Sequence, residues 1–376
     1  MTKRLVITAL LMTLIGCASS LQYDYSDADA AQLKNRILGE EPVSRELVIL
    51  ELSDEIKQAL DERINKEWRA KQKIRALRAF LFSEEERGIL YDAGATLTAS
   101  EVYGEGRGNC LAMTNLFVAA ARHVGIDSHY QTVSVRPTWD HEGATMIRYE
   151  HIVAVGEVGD ESYVVDFLPE FILGDRPSET IDDLEALALF YNNLGAEAVV
   201  NQQPEAAIAH LRKSLVLNPR NADTWNNMGA ALRRNEQDQL AEFAYYQALE
   251  IDAYNYSALS NLAQFYETEG RGDEAQEIMN RVDRYRRRNP YFHYFVARVF
   301  YDEGQLAEAR IFLDNAVRLK RDEPQFYEAL ALVATAEGDS VASGRYLARA
   351  ERYREEKDFS PPERVMSSRL MVRKNM

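Results

Sequence analysis

Residues 222–255 read ADTWNNMGAALRRNEQDQLAEFAYYQALEIDAYN, and the spacing of small residues in this stretch decides the fold of the C-terminal half. Gly229, Ala241 and Ala248 hold its eighth, twentieth and twenty-seventh positions. Stepping outward in 34-residue strides, to starts at 188, 256, 290 and 324, repeats the pattern. The eighth position reads Gly195, Ala263, Ala297 and Ala331, and the twentieth reads Ala207, Ala275, Ala309 and Ser343. The twenty-seventh reads Ser214, Val282, Ala316 and Ala350. A large residue holds the fourth position throughout: Tyr191, Trp225, Leu259, His293 and Tyr327. Small residues recur where paired helices approach closely, and large ones plug the gaps between them. No strand pattern survives beyond about residue 182, so this half is expected to be all-α.

The pattern resembles the tetratricopeptide repeat over roughly residues 188–357. Pro219 holds the repeat-end position, which Ala253, Arg287 and Arg321 occupy later. The resemblance implies five helix pairs stacked as a solenoid, with a concave groove lined by the first helix of each pair. Its implied lining includes Asn192, Asn226, Arg233, Ser260, Gln264, Tyr291, Tyr294, Arg298 and Tyr301. Amides and hydroxyls suit an extended peptide, and tyrosines offer rigid contact area at small entropic cost. A protein or peptide partner is therefore expected. The set lacks the Lys/Asn carboxylate clamp of some members, so a C-terminal carboxylate ligand is not implied. Arg284, Arg286, Arg287 and Arg288 read as a solvated helix end whose charges suit the C-terminal dipole.

Upstream the period changes. Leu47, Leu50, Ile56, Leu60, Ile64, Trp68, Ile74, Leu77 and Leu81 recur at helical spacing. Gly88 and Gly94 break that pattern, and Glu105–Asn109 forms a glycine-bearing loop. Leu111 to Val124 reads as a buried helix stopped by Gly125. β-Formers follow at Tyr130–Val135, His151–Val155 and Tyr163–Phe167, with Gly159-Asp160 marking a hairpin turn. Helices followed by antiparallel strands indicate an α+β domain.

Within that domain, Gly106-Arg107-Gly108-Asn109-Cys110-Leu111 carries a cysteine to a helix start. Unpaired N–H groups and the helix dipole there favour negative charge on sulfur. His151 opens a strand, and a hairpin near residue 159 would bring Asp166 beside it. The carboxylate could then hold the imidazole toward the thiol. Gly-Asn-Cys at a helix start, a strand-opening histidine and an aspartate one hairpin later resemble the transglutaminase-like domain of the papain-type cysteine superfamily, over about residues 85–175. The resemblance implies Cys110 as nucleophile, His151 as base and acid, and Asp166 as the orienting carboxylate. It implies a thioacyl intermediate on an amide or ester, resolved by water or an amine. Ile152 stands where family members often carry an aromatic residue. For the oxyanion, the Cys110 N–H is one candidate donor, and Tyr103 and Gln131 are others.

The remaining composition excludes several function classes. With 44 Lys plus Arg against 60 Asp plus Glu, the net charge of −16 repels phosphate backbones, so nucleic acid is not an expected partner. The six histidines show no His-Glu-x-x-His spacing, and two cysteines cannot pair as a zinc knuckle or a disulfide framework. Gly104, Gly106 and Gly108 lack the Gly-Lys-Ser/Thr of a phosphate loop. No metal and no cofactor is implied. At the N-terminus, Lys3 and Arg4 precede an apolar run from Leu5 to Ile15 that ends in Leu14-Ile15-Gly16-Cys17. The run is too short for a membrane span of about 20 residues and resembles a lipoprotein signal, with Cys17 lipidated after cleavage. Ala18 after Cys17 points to the periplasmic face of an outer membrane. The expected organisation is a signal peptide over 1–16 and a polar linker over 17–45 that becomes helical before Pro42. A transglutaminase-like α+β domain follows over 46–182, then an all-α tetratricopeptide solenoid over 183–357 and a tail over 358–376. The molecule is expected to be mostly helical.

Overall fold

The computed structural model describes residues 25–40, 42–83, 85–133, 140–142, 145–147, 151–158, 161–167, 178–356 and 369–374. Cys17 and the expected signal peptide lie outside these residues, as do Gly159 and Asp160.

Helix α1 (Asp27–Leu38) starts at Ser26, whose hydroxyl accepts from the Asp29 N–H at 3.2 Å. It is more than the linker expected. Leu33 and Ile37 are buried in the core of the repeats, and Arg212 donates to the Ile37 carbonyl at 2.7 Å. Its apolar stripe needs that cover, because a twelve-residue helix alone is marginal in water.

Helices α2 (Asp54–Arg63) and α3 (Ala70–Phe82) bury Ile56, Leu60, Ile74, Leu77 and Leu81 as the spacing predicts. Trp68 falls in the turn between them and is exposed, so it leaves the apolar stripe. Strand β1 (Leu90–Tyr91), helix α4 (Ala99–Glu105) and strand β2 (Arg107–Gly108) lead to helix α5 (Cys110–His123). The Thr98–Glu101 capping box opens α4, and Gly106 ends it at φ 70°. Every residue of α5 from Cys110 to Ala121 is buried.

Strands β3 (His129–Val133), β4 (Asp140–Glu142), β5 (Thr145–Ile147), β6 (His151–Val158), β7 (Glu161–Asp166) and β8 (Ser178–Ile181) follow. The main sheet runs β8-β3-β6-β7 and ends on β9 (Arg369–Lys374), with antiparallel pairing throughout. Strand β9 corrects the expected tail: these residues pair with β7, covering what would otherwise be an open edge. Tyr130, Ile152, Ala154 and Val165 share one core with Leu116, Phe117 and Ala120 of α5.

The repeats form five helix pairs: α6 (Asp183–Val200) with α7 (Pro204–Leu217), α8 (Ala222–Arg234) with α9 (Asp238–Ile251), and α10 (Tyr256–Thr268) with α11 (Gly272–Arg288). Pairs α12 (Pro290–Asp302) with α13 (Leu306–Leu319), and α14 (Pro324–Ala336) with α15 (Ser340–Glu356), complete the array. The small positions mark the tight contacts. A Cβ on Gly195 would lie 2.5 Å from Leu211 Cγ, and one on Gly229 would lie 2.6 Å from the Tyr245 ring. A second period lies in the turns: Gln202, Glu236, Gly270, Gly304 and Gly338, each 34 residues from the last, all take positive φ. Helices α1 and α7–α11 share one core, and α12–α15 share another.

Helix α6 belongs to both halves, so the expected boundary at 182/183 does not separate two cores. Ala186, Leu187, Leu189 and Phe190 pack into the α+β core, while Ala198 and Val199 pack into the repeats. Arg122 near the end of α5 grips Asp183 at the start of α6 through two hydrogen bonds of 2.7 and 2.9 Å. None of the described helices is long and apolar enough to cross a membrane.

Candidate active site

Cys110 is the first residue of α5, where no preceding turn supplies carbonyls for its N–H. Asn109 is the N-cap: its Oδ1 accepts from the Ala112 N–H at 2.9 Å. Its Nδ2 donates to Thr96 Oγ1 at 2.7 Å. The Thr96 hydroxyl in turn meets Glu197 Oε1 of α6 at 2.5 Å. Burial pushes the Glu197 carboxyl above its ordinary range. One turn into α5, the Thr114 hydroxyl reaches the Cys110 carbonyl at 2.7 Å and the Ile152 carbonyl at 3.5 Å. These bonds tie the helix start to the strand that carries His151.

His151 begins β6 opposite Val133 of β3. The β6–β7 register pairs Ala154 with Val165, so Asp166 returns toward the start of β6. His151 Nε2 and Asp166 Oδ1 are 2.9 Å apart, and both side chains are almost wholly buried. The Cys110 side chain also lies close enough to act on the imidazole. With Nε2 committed to Asp166, Nδ1 is the ring nitrogen left for the thiol. Burial alone would push the ring below its ordinary 6.5. The hydrogen bond to Asp166, together with the charge of Asp166 and the nearby Cys110, raises it instead to about 9. The ring therefore holds its proton at neutral pH against the Asp166 carboxylate.

The structure thus brings Cys110 beside the hydrogen-bonded pair of His151 and Asp166. Tyr103 packs its ring under the Arg87 guanidinium, 3.8 Å from it, and against Phe80. Gln131 pairs with Val153, one pleat along the strands from the Val133–His151 pair. The two candidates for the oxyanion therefore differ in placement: Gln131 shares the sheet face of His151, whereas Tyr103 lies on α4. Glu197 and Thr96 were not foreseen, because no local pattern links residues 101 apart. Asparagine before a helix start is a common cap, which accounts for the place of Asn109.

The expected groove residues do not form one lining. Asn192 and Asn226 are buried, correcting the expectation that they face a ligand. They belong to a ladder in which Asn261 donates to Asn226 at 2.8 Å and Asn227 donates to Asn192 at 3.1 Å. Asn226 also donates to Asn227 at 3.2 Å. The positions next to the expected ones supply the partners, so the amides satisfy each other. Tyr291 hydrogen-bonds Glu323 at 3.0 Å, and Tyr294 packs on Phe326. Tyr301 packs on the last core and Arg233 donates to Thr268 at 2.6 Å. Ser260 and Gln264 are half-buried, and Arg298 is exposed. Strand β5, which precedes His151, also lies against α10. Among the described residues no three His, Cys, Asp or Glu side chains are grouped to hold a metal ion.

Residues 58–165 match the transglutaminase-like superfamily, a span that holds Cys110 and His151 and ends one residue before Asp166. Residues 210–243 and 232–299 match tetratricopeptide repeats. The chain joins a transglutaminase-like domain to tetratricopeptide repeats. Among solved structures it is similar to MamA 41-end from Desulfovibrio magneticus RS-1, at 16% identity and a TM-score of 0.25, covering 46% of this chain and 97% of that one. MamA MSR-1 is similar at 14% identity and a TM-score of 0.25, covering 45% of this chain and 98% of that one. No curated protein matches the chain.

Proposed function

We propose that the transglutaminase-like domain performs thiol-dependent acyl transfer on a peptide or isopeptide, and that the repeats bind the protein that carries or accepts the acyl group. The observation that carries this reading is Cys110 at a helix start, beside the hydrogen-bonded His151–Asp166 pair. In the reaction, Cys110 Sγ attacks the carbonyl carbon while the imidazolium carries the thiol proton. The C–N bond breaks, and His151 gives that proton to the leaving amine. Water or a second amine then attacks the thioester, His151 takes its proton, and the C–S bond breaks to regenerate the thiol. The Cys110 N–H is suited to hold the oxyanion in both steps. Asp166 keeps the ring oriented and stabilises its charge throughout.

The test is alkylation of Cys110 by iodoacetamide, read at that residue by peptide mass spectrometry. The proposed nucleophile reacts well below pH ~8.5, the titration of an ordinary thiol, and His151→Ala slows it at least roughly tenfold. Reaction only near that pH, indifferent to His151→Ala, defeats the catalytic reading. A Cys110-reactive acyl probe then identifies the native acyl partner. Burial of all three side chains favours a second reading, a non-catalytic scaffold for protein docking.

The N-terminal run ending at Cys17 supports a lipid anchor in a bacterial envelope, at the outer membrane and facing the periplasm. Metabolic labelling with an alkynyl fatty acid, lost in Cys17→Ala, tests it; labelling that persists in Cys17→Ala overturns it.

A further inference from the structure

The hydrogen bonds behind Cys110 have a direction, and that direction is set from the repeats. A carboxylate has no proton to give. Glu197 Oε1 therefore accepts a hydrogen bond from the Thr96 hydroxyl across 2.5 Å. Thr96 Oγ1 is then left to accept, and it does so from Asn109 Nδ2 at 2.7 Å. The Asn109 amide is thereby fixed with its nitrogen toward Thr96 and its oxygen toward the Ala112 N–H, 2.9 Å away. Reversed, the amide would turn an NH2 group against the N–H groups of the helix start, where donor would face donor. Asn109 N–H is also anchored to the Ala95 carbonyl at 2.9 Å, so the cap has little room to move instead.

We infer that Glu197, on the first helix of the repeats, is a positioning residue for Cys110, acting through Thr96 and Asn109 to hold the cap and hence the first turn of α5. The inference rests on reading Cys110 as the nucleophile for its functional half, and on hydrogen bonding alone for its structural half. It gives the repeat array a part in the reaction site in addition to partner binding.

Two readouts separate these halves: amide exchange at Ala112 by NMR, and the alkylation rate of Cys110. Glu197→Leu removes the acceptor at similar volume. It is expected to speed Ala112 exchange and slow Cys110 alkylation, each roughly tenfold, the size of a lost cap. Glu197→Gln can still accept through Oε1 and is expected to stay within about twofold of wild type in both. Adding Asn109→Asp to Glu197→Leu is expected to restore Ala112 protection, because a carboxylate cap cannot turn a donor toward the helix. Wild-type values of both readouts in Glu197→Leu, with alkylation still slowed by His151→Ala, overturn the inference and leave the proposed function standing. Failure of Asn109→Asp to restore protection overturns it as well. Alkylation indifferent to His151→Ala, with Ala112 still following Glu197, defeats the proposed function and leaves the relay in place.

Discussion

The two halves bury polar groups by opposite means. In the transglutaminase-like domain, the buried imidazole and carboxylate lie 15 residues apart and meet only because β6 and β7 pair in register. In the repeats, buried asparagines meet partners 35 residues away, and the same step recurs from α10 to α8 and from α8 to α6. The first arrangement is single-copy and charged, and its imidazole makes it sensitive to pH. The second is repeated and neutral, so it is insensitive to pH and tolerates variation between copies. The difference teaches that burial of polar atoms is no marker of chemistry by itself; a group that titrates is.

The sharpest break between the halves is expected from Asp166→Asn. With that carboxylate gone, burial prevails over the influence of Cys110. The His151 titration is expected to fall from about 9 to its ordinary 6.5 or below, a change worth several kcal/mol at about 1.4 kcal/mol per unit. NMR of the imidazole measures it, and a ring still titrating near 9 contradicts the assigned cause. Next in size is the pH dependence of stability. Folding raises the His151 pKa from 6.5 to about 9, so the charged pair adds stability that is complete below pH 6.5. That contribution is lost as pH rises through about 9. Denaturant melts are expected to show the wild type losing on the order of a few kcal/mol over this window relative to His151→Gln. Parallel curves for the two proteins dismiss the linkage.

Smaller effects belong to the repeats. Gly229→Ala forces a Cβ to within 2.6 Å of the Tyr245 ring, and overpacking of this kind costs about 1–3 kcal/mol. It is expected to lower the melting of the repeats at every pH alike. Smallest is Glu236→Gly, which relieves a non-glycine residue at φ 57°. A gain of about 0.5–1 kcal/mol is expected from easing that left-handed backbone. A loss in calorimetry shows that the Glu236 side chain contributes more than its backbone costs.

Much of this architecture was legible because it is periodic. Gly195 and Gly229 declare close helix approaches, and five copies without insertion leave little freedom in how they stack. Cys110, His151 and Asp166 were readable because a helix start, a strand start and a hairpin constrain where each side chain goes. Other features carry no such local mark. Gln202 and Glu236 occupy left-handed turn positions that glycine holds in the later copies, so composition hides the shared backbone. Asn192 and Asn226 look hydrophilic, and only the neighbouring stack shows that their partners are other asparagines. Helix α1 and strand β9 dock on surfaces whose existence depends on the completed fold.

Helix α6 bears on how such a protein can be cut or recombined. Leu187 and Phe190 complete the α+β core, Asp183 grips α5 near its end, and Glu197 reaches its start through Thr96 and Asn109. Severing the polypeptide at residue 182 therefore strips a wall from the transglutaminase-like domain as well as freeing the repeats. A functional fragment has to carry α6 with it. For the same reason the first helix pair is tied to the transglutaminase-like domain and must be inherited together with it.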